Sequence, residues 1–180
     1  MHIHITGASG SGTSTLGAVL AAELGVAHLE ADDYYWLPTT PPFTSKRDRF
    51  ERLSSLVADL QAKKSTVLAG SVVDWGQEVE NSFDLIVFLY VAAEVRVERL
   101  KRREIDRFGS ANPAFLEWAA QYDQGPSEGR SLAKHRVWLA ARSCEVLELH
   151  GNLSVNERLA AVLREAPNPS FKRTGLRRAA

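Results

Sequence analysis

With 180 residues and 44% hydrophobic side chains, the chain can enclose one core but would leave two undersized. Lys plus Arg and Asp plus Glu balance at 22 each, so the formal net charge is zero and a globally basic, polyanion-seeking surface is excluded; any anion site has to be local. Cys144 is the single cysteine, which excludes an intramolecular disulfide, and its place beside an apolar run predicts an inert, buried thiol.

Met1 leads directly into an alternating strand, without a basic and apolar leader or a run of about 18 apolar residues, so a cytoplasmic, membrane-free protein is expected. That strand, His2-Ile3-His4-Ile5-Thr6, breaks at Gly7 into a loop of Gly and Ser. Leu16, Val19, Leu20, Ala22 and Leu24 then recur near helical spacing, with Gly25 placed as a C-cap. A short strand at 27–30 runs into Asp32-Asp33 and Tyr34-Tyr35-Trp36, and a proline-rich loop follows at 38–42. Phe50, Leu53, Leu56, Val57 and Leu60 predict an amphipathic helix over 45–63 whose first turns carry Lys46, Arg47, Arg49 and Arg52.

Positions 66–73 and 85–91 are continuous apolar runs rich in β-branched residues, the pattern of strands buried on both faces. A charged helix at 95–108 precedes a stretch with Gly, Asn-Pro and Gly-Pro breaks at 109–129, and helix returns over 132–142. The last strand is predicted at 145–149, and Ser154 with Glu157 makes a capping box for a helix to about Arg164. The domain thus spans 1–165, while 166–180, with two prolines, basic residues and no apolar periodicity, predicts a disordered tail. Alternating strands and helices with apolar strands imply an α/β fold: an open parallel sheet covered on both faces, with ligands beyond the carboxyl ends of the strands.

The segment Gly7-Ala8-Ser9-Gly10-Ser11-Gly12-Thr13-Ser14 fits the phosphate-loop pattern G-x-x-x-x-G-K-[ST] at every specified position except the lysine, where Thr13 stands. Glycines let successive backbone N–H groups turn toward phosphate oxygens, and the following helix adds its positive end. Ser14 occupies the hydroxyl position that meets Mg²⁺, and Thr15 is placed to support the loop or an α-phosphate. The absent lysine calls for another cation. Arg96, Arg99, Arg103 and Arg107 share one helix face and are the candidates, against the alternative of a solvated charged helix.

About 20 residues past the loop, Asp32-Asp33 is placed to take a proton from an acceptor hydroxyl or, through Asp32, to hold Mg²⁺; an ordinary turn or N-cap is the competing explanation. Tyr35 and Trp36 either stack on a substrate ring or pack the next helix. Arg47 or Lys46, expected at a helix start, either grips an acceptor phosphate or is simply solvated. Asp74 is either a second metal-directed acid or part of a turn, and Arg130, Lys134 and His135 are placed to close over the phosphates.

The phosphate loop, the 32–36 segment, the strand at 85–91 and the arginines of 99–109 together resemble the P-loop nucleoside and nucleoside-monophosphate kinases, and within them an adenylate-kinase-like group whose loop reads Gly-Ala-Ser-Gly-Ser-Gly-Thr. The resemblance implies a three-layer fold with a five-stranded parallel sheet in the order 2-3-1-4-5, a small lid at about 100–130 carrying Arg103 and Arg107, and ATP with Mg²⁺ as phosphoryl donor. A small-molecule acceptor is expected with it; neutral charge, the lack of an extended basic or aromatic surface and the lack of an apolar span argue against nucleic acid and membrane as partners, and a monomer or homodimer is expected. Two departures stand out. Thr13 replaces the lysine, which leaves open a binding module that has lost catalysis. Ala69-Gly70-Ser71-Val72-Val73 also lacks the Asp-Gly-Phe-Pro-Arg of adenylate kinases, pointing toward an acceptor with a free hydroxyl.

Overall fold

Five strands, β1 (His2–Gly7), β2 (Ala27–Glu30), β3 (Thr66–Ala69), β4 (Leu85–Tyr90) and β5 (Glu145–His150), pair in parallel in the order β2-β3-β1-β4-β5 in the computed structural model, which describes residues 1–126 and 129–166. The expected order is therefore observed. Of the predicted tail only Ala166 falls among the described residues.

Strand alternation sorts the core into two layers. Ile3, Ile5, Val67, Leu85, Val87, Leu89 and Leu149 point to one face, where α1 (Thr13–Leu24) and α8 (Val155–Glu165) cover them with Leu16, Leu20, Ala21 and Val162. Leu68, Ile86 and Phe88 point to the other, under α3 (Arg49–Ala62), α4 (Gln77–Glu80) and α7 (Leu132–Ala140), which contribute Leu56, Leu60, Val79, Trp138 and Leu139. Fully burying a side chain of this size contributes about 1.5–3 kcal/mol, so these two layers hold the sheet. His4 sits in the second layer, stacked on Phe83 at 4.7 Å, and burial pushes its imidazole down to about 3, so it is a neutral core residue.

Two remaining helices, α2 (Ala31–Tyr35) and α6 (Pro113–Ala120), and the long α5 (Ala93–Phe108) lie at the carboxyl ends of the strands. Several boundaries differ from expectation for local reasons. β3 stops at Ala69 because Gly70 turns the chain at φ 107, where a Cβ would meet the Ala31 side chain at 2.8 Å. Asp32-Asp33 begins a helix instead of a turn, and the acidic pair suits the positive end of that helix. The 109–129 stretch contains α6, opened by Asn112, whose side chain accepts from the N–H groups of Ala114 and Phe115. Cys144 precedes β5 and is half-buried, with its thiol raised by desolvation. Both halves of the Ser154–Glu157 capping box are present.

Candidate functional site

The loop between β1 and α1 is shaped by its glycines. Gly10 and Gly12 have φ of 82 and 98, and a Cβ on Gly10 would stand 2.6 Å from the carbonyl oxygen of Arg96. Ser11 N–H donates to the Ala8 carbonyl at 3.1 Å, closing the turn, and α1 starts at Thr13 without a side-chain cap or an acid in its first turn. The free N–H groups at that helix start make a seat for an anion.

Arginines surround this loop, in different ways. Arg96 is fully buried: its Nε donates to Val91 O at 2.9 Å and Nη1 to Ala119 O at 3.0 Å, while Nη2 lies 3.6 Å from Asp123. It joins α5 to α6 and is not free to meet a phosphate, which corrects its candidacy as the missing cation. One turn on, Arg99 donates to the carbonyls of Gly10 at 3.2 Å and Ser11 at 3.5 Å, and to Asn152. Arg103 lines an adjoining cleft of about 270 Å³ together with Thr13, Ser14, Thr15, Leu153 and Val155. Arg107 is exposed, its guanidinium 5.7 Å from the Phe43 ring. Arg130 donates to Ser9 Oγ at 3.2 Å and so lies against the loop, whereas Lys134 donates to Gly129 O.

Arg158, on α8, was not among the expected residues. It is 3% exposed, and its Nη1 donates to Ser11 O at 2.6 Å and its Nη2 to Gly151 O at 3.2 Å. The available signal was an arginine in line with Val155 and Val162 on the apolar face of the last helix.

Glu30, the last residue of β2, is the second addition. Ser14 Oγ donates to Glu30 Oε2 at 3.0 Å, so the phosphate loop touches the acidic segment directly. His28 Nε2 lies 3.3 Å from the other carboxylate oxygen. Burial pushes Glu30 up to about 7; the Ser14 hydrogen bond opposes this, and the charges of Asp32 and Asp33 add to it. Asp32 and Asp33 themselves are exposed in the first turn of α2. Ser14, Glu30 and Asp32 are all oxygen donors, the chemistry a hard cation such as Mg²⁺ takes, and this ion commonly uses one or two carboxylates plus phosphate and water. Among the described residues no group of three or more His, Cys, Asp and Glu is arranged to hold a metal alone.

At the end of α2, Tyr35 packs edge-on against Trp36 at 4.8 Å and stacks on Trp75 at 6.2 Å, with the Arg52 guanidinium 4.7 and 4.5 Å from the Tyr35 and Trp75 rings. Tyr35 is thereby tied to α3, while Trp36 lies edge-on to Phe43 at 6.1 Å in the loop that precedes α3. Lys46 and Arg47 precede α3 instead of opening it, a correction explained by Asp48, whose side chain accepts from the N–H groups of Phe50 and Glu51 and starts the helix there. Lys46 pairs with Trp36 in an antiparallel bridge, and Arg47 donates from Nε to Tyr34 O at 3.1 Å, so its predicted grip from a helix N-terminus is not what the geometry provides. Asp74 has φ 63 and its carbonyl accepts from Arg49, the geometry of a turn. His135 is buried instead of closing over the loop; its Nδ1 pairs with Tyr122 at 2.6 Å and its Nε2 with Ser71 at 3.2 Å, and burial lowers it to about 4.

A model of the AAA domain family matches residues 3–111, which include the phosphate loop, the acidic segment and α5. The uncharacterized protein YqaC of Bacillus subtilis is 44% identical over 172 residues, covering 90% of this chain and 95% of YqaC. Cytidylate kinase 2 of Borreliella afzelii is 28% identical over 128 residues, 58% of this chain and 63% of that kinase. Among solved structures, the shikimate kinase of Bacteroides thetaiotaomicron superposes with a TM-score of 0.59 at 16% identity, over 92% of this chain and 97% of the kinase, which shows a shared fold. No described helix is long and apolar enough to cross a membrane. By its matched sequence, its 2-3-1-4-5 sheet and its phosphate loop, the chain belongs to the AAA domain family and to the P-loop superfamily of nucleoside-monophosphate-kinase-like proteins.

Proposed function

We propose that the chain is a small-molecule kinase that transfers the γ-phosphoryl group of ATP, with Mg²⁺, to a nucleoside, a nucleoside monophosphate or a similar hydroxylated acceptor in the cytoplasm. The observation that carries this reading is the 3.0 Å contact between Ser14 and Glu30, which sets an acidic cluster against a phosphate seat. Phosphoryl transfer asks for little covalent chemistry from the protein; it needs the phosphates held, their charge neutralised and a hydroxyl aimed and deprotonated.

Gly7, Ala8, Ser9, Gly10, Ser11, Gly12, Thr13, Ser14 and Thr15 would hold the phosphates, and the cleft walled by Leu153, Val155 and Arg103 suits the nucleoside end of the donor. Ser14, Glu30 and Asp32 would hold Mg²⁺, directly or through water; when bound, the ion neutralises the transferring phosphates. Asp32 or Asp33 would take the acceptor's proton. Arg99, Arg103 and Arg107 would supply charge on the lid side, residues 100–130 moving as the lid over a monomeric or dimeric core. Tyr35, Trp36 and the cations beside them border the acceptor's side of α2, and the loop after β3 lacks the acid and arginine expected for a monophosphate, which favours a free-hydroxyl acceptor.

Thr13 supports a second reading, a nucleotide-binding module without turnover. The deciding measurement is phosphate transfer from ATP, with Mg²⁺, screened across nucleosides, nucleoside monophosphates and small sugars. Turnover of any acceptor above the rate of ATP hydrolysis supports the kinase; ATP and ADP binding without turnover of any of them supports the module.

A further inference from the structure

Arg99 and Arg158 are two cations with their charge unspent. Both guanidiniums converge on one short stretch of the phosphate loop: Arg158 Nη1 would be 3.0 Å, and Arg99 Nη1 4.0 Å, from a Cβ placed on Gly12. Arg158 is 3% exposed, its Nε is buried without a hydrogen-bond partner, and its guanidinium pKa is lowered by desolvation and by the neighbouring Arg99 charge. Their hydrogen-bond acceptors are neutral, namely backbone carbonyls and the Asn152 amide. Among the described residues neither arginine has a carboxylate within ion-pair distance. A buried arginine beside a second, half-buried one with no acid between them is costly, and an arriving anion relieves it. Both line the cleft that contains Thr13, Ser14 and Thr15.

We propose that Arg99 and Arg158 are a fixed two-arginine clamp that takes the place of the lysine absent at Thr13, with a nucleoside di- or triphosphate as the anion it awaits. The inference rests on the nucleotide-binding part of the kinase reading. A trans peptide points its C=O and the next N–H in opposite directions, so holding Ser11 O toward Arg158 fixes the Gly12 N–H on the other side, toward the phosphate seat. The clamp thus supplies positive charge and sets the loop at once. It differs from a lysine in one respect. A lysine on a flexible stem follows the γ-phosphate through transfer, whereas guanidiniums pinned to loop carbonyls act on ground and transition state alike.

The experiment is calorimetric titration of the full chain with ADP and with ATP, in Mg²⁺, for the parent, Arg158→Met, Arg99→Met, Thr13→Lys and Arg158→Met/Thr13→Lys, with melting curves for each. Arg158→Met is expected to weaken ADP and ATP equally, by about tenfold or more, and Arg99→Met by less. Where turnover is measurable, Arg158→Met raises KM for ATP proportionally more than it lowers kcat. Thr13→Lys should restore affinity in the Arg158→Met background and change the parent little, a rescue that a merely structural arginine would not show. If Arg158→Met does not fold, Arg99→Met with and without Thr13→Lys carries the same test. Parent-like ADP affinity in a folded arginine variant, or an equal gain from Thr13→Lys in both backgrounds, overturns the clamp and leaves the kinase reading standing. A parent that binds neither nucleotide removes both.

Discussion

The phosphate loop and the acid-bearing segment meet at Ser14 but are held in different ways. Around the loop, positions are set by backbone: positive φ at Gly10 and Gly12, carbonyls gripped by Arg99 and Arg158, and a buried Arg96 behind them. Across Ser14, Asp32 and Asp33 stand exposed on a helix of five residues, with only Glu30 partly withdrawn from water. A rigid half is suited to holding a constant group such as a polyphosphate, and an exposed half leaves room for an acceptor to bring its own contacts. If that contrast is right, substitutions on the loop side should act first on folding and nucleotide affinity, and those on the acid side on turnover.

The largest expected effect is at Arg96. Arg96→Leu strands Asp123 and leaves the Val91 and Ala119 carbonyls without their donor, so about 3–5 kcal/mol of stability should be lost, read as a fall in the urea midpoint. Arg107→Leu, on the exposed end of the same helix, should change stability by less than about 0.5 kcal/mol. Similar losses at the two arginines would undo the distinction between buried and free ends of α5.

Glycines sharpen it further. Gly10→Ala adds a Cβ 2.6 Å from the Arg96 carbonyl at a φ that disfavours any side chain, so about 2–4 kcal/mol and most ADP affinity should go. Gly109→Ala has a comparable φ of 78 and open space, so about 1 kcal/mol is expected with ADP binding intact. On the acid side, the aspartate that takes the proton should, as Asn, lose about a hundredfold in kcat, ~2.7 kcal/mol, at unchanged ATP affinity. Full turnover by both Asp32→Asn and Asp33→Asn would remove the assigned base.

How much of this could be read in advance follows the same division. The glycine loop and the Ser154–Glu157 cap depend on local pattern, and each is where the sequence placed it, whereas the observed strand order is the one the family resemblance implied. Arg158 and Glu30 matter through partners 147 and 16 residues away, which no local pattern encodes, and both went unassigned. Four arginines on one face of α5 were legible as a set, but their separate fates depend on how deeply each turn is covered by the loop and α6. Lys46 and Arg47 were misplaced because Asp48 outcompetes the preceding residues as the N-cap, a local signal that the apolar repeat over 45–63 masked.

The smallest effect is in pH, and it sets one residue of the site against the core. Glu30 is raised to about 7 in the folded chain from 4.5, so the folded state holds its proton more tightly than the unfolded one, and stability from Glu30 increases as pH falls from 7 toward 4.5. His4 and His135 run the other way. Lowered to about 3 and about 4 from 6.5, they stay neutral while the unfolded chain takes up protons, so stability is full above pH 6.5 and is lost as pH falls below it. Between pH 7 and 5 the contributions oppose, and the parent's Tm should fall only gently. Glu30→Gln removes the compensating gain, so its Tm should start higher at pH 7 and fall more steeply by pH 5. Parallel Tm curves for parent and variant would mean that Glu30 titrates normally, and with that the close packing of a charged acid against the phosphate loop would be lost as an explanation for the site.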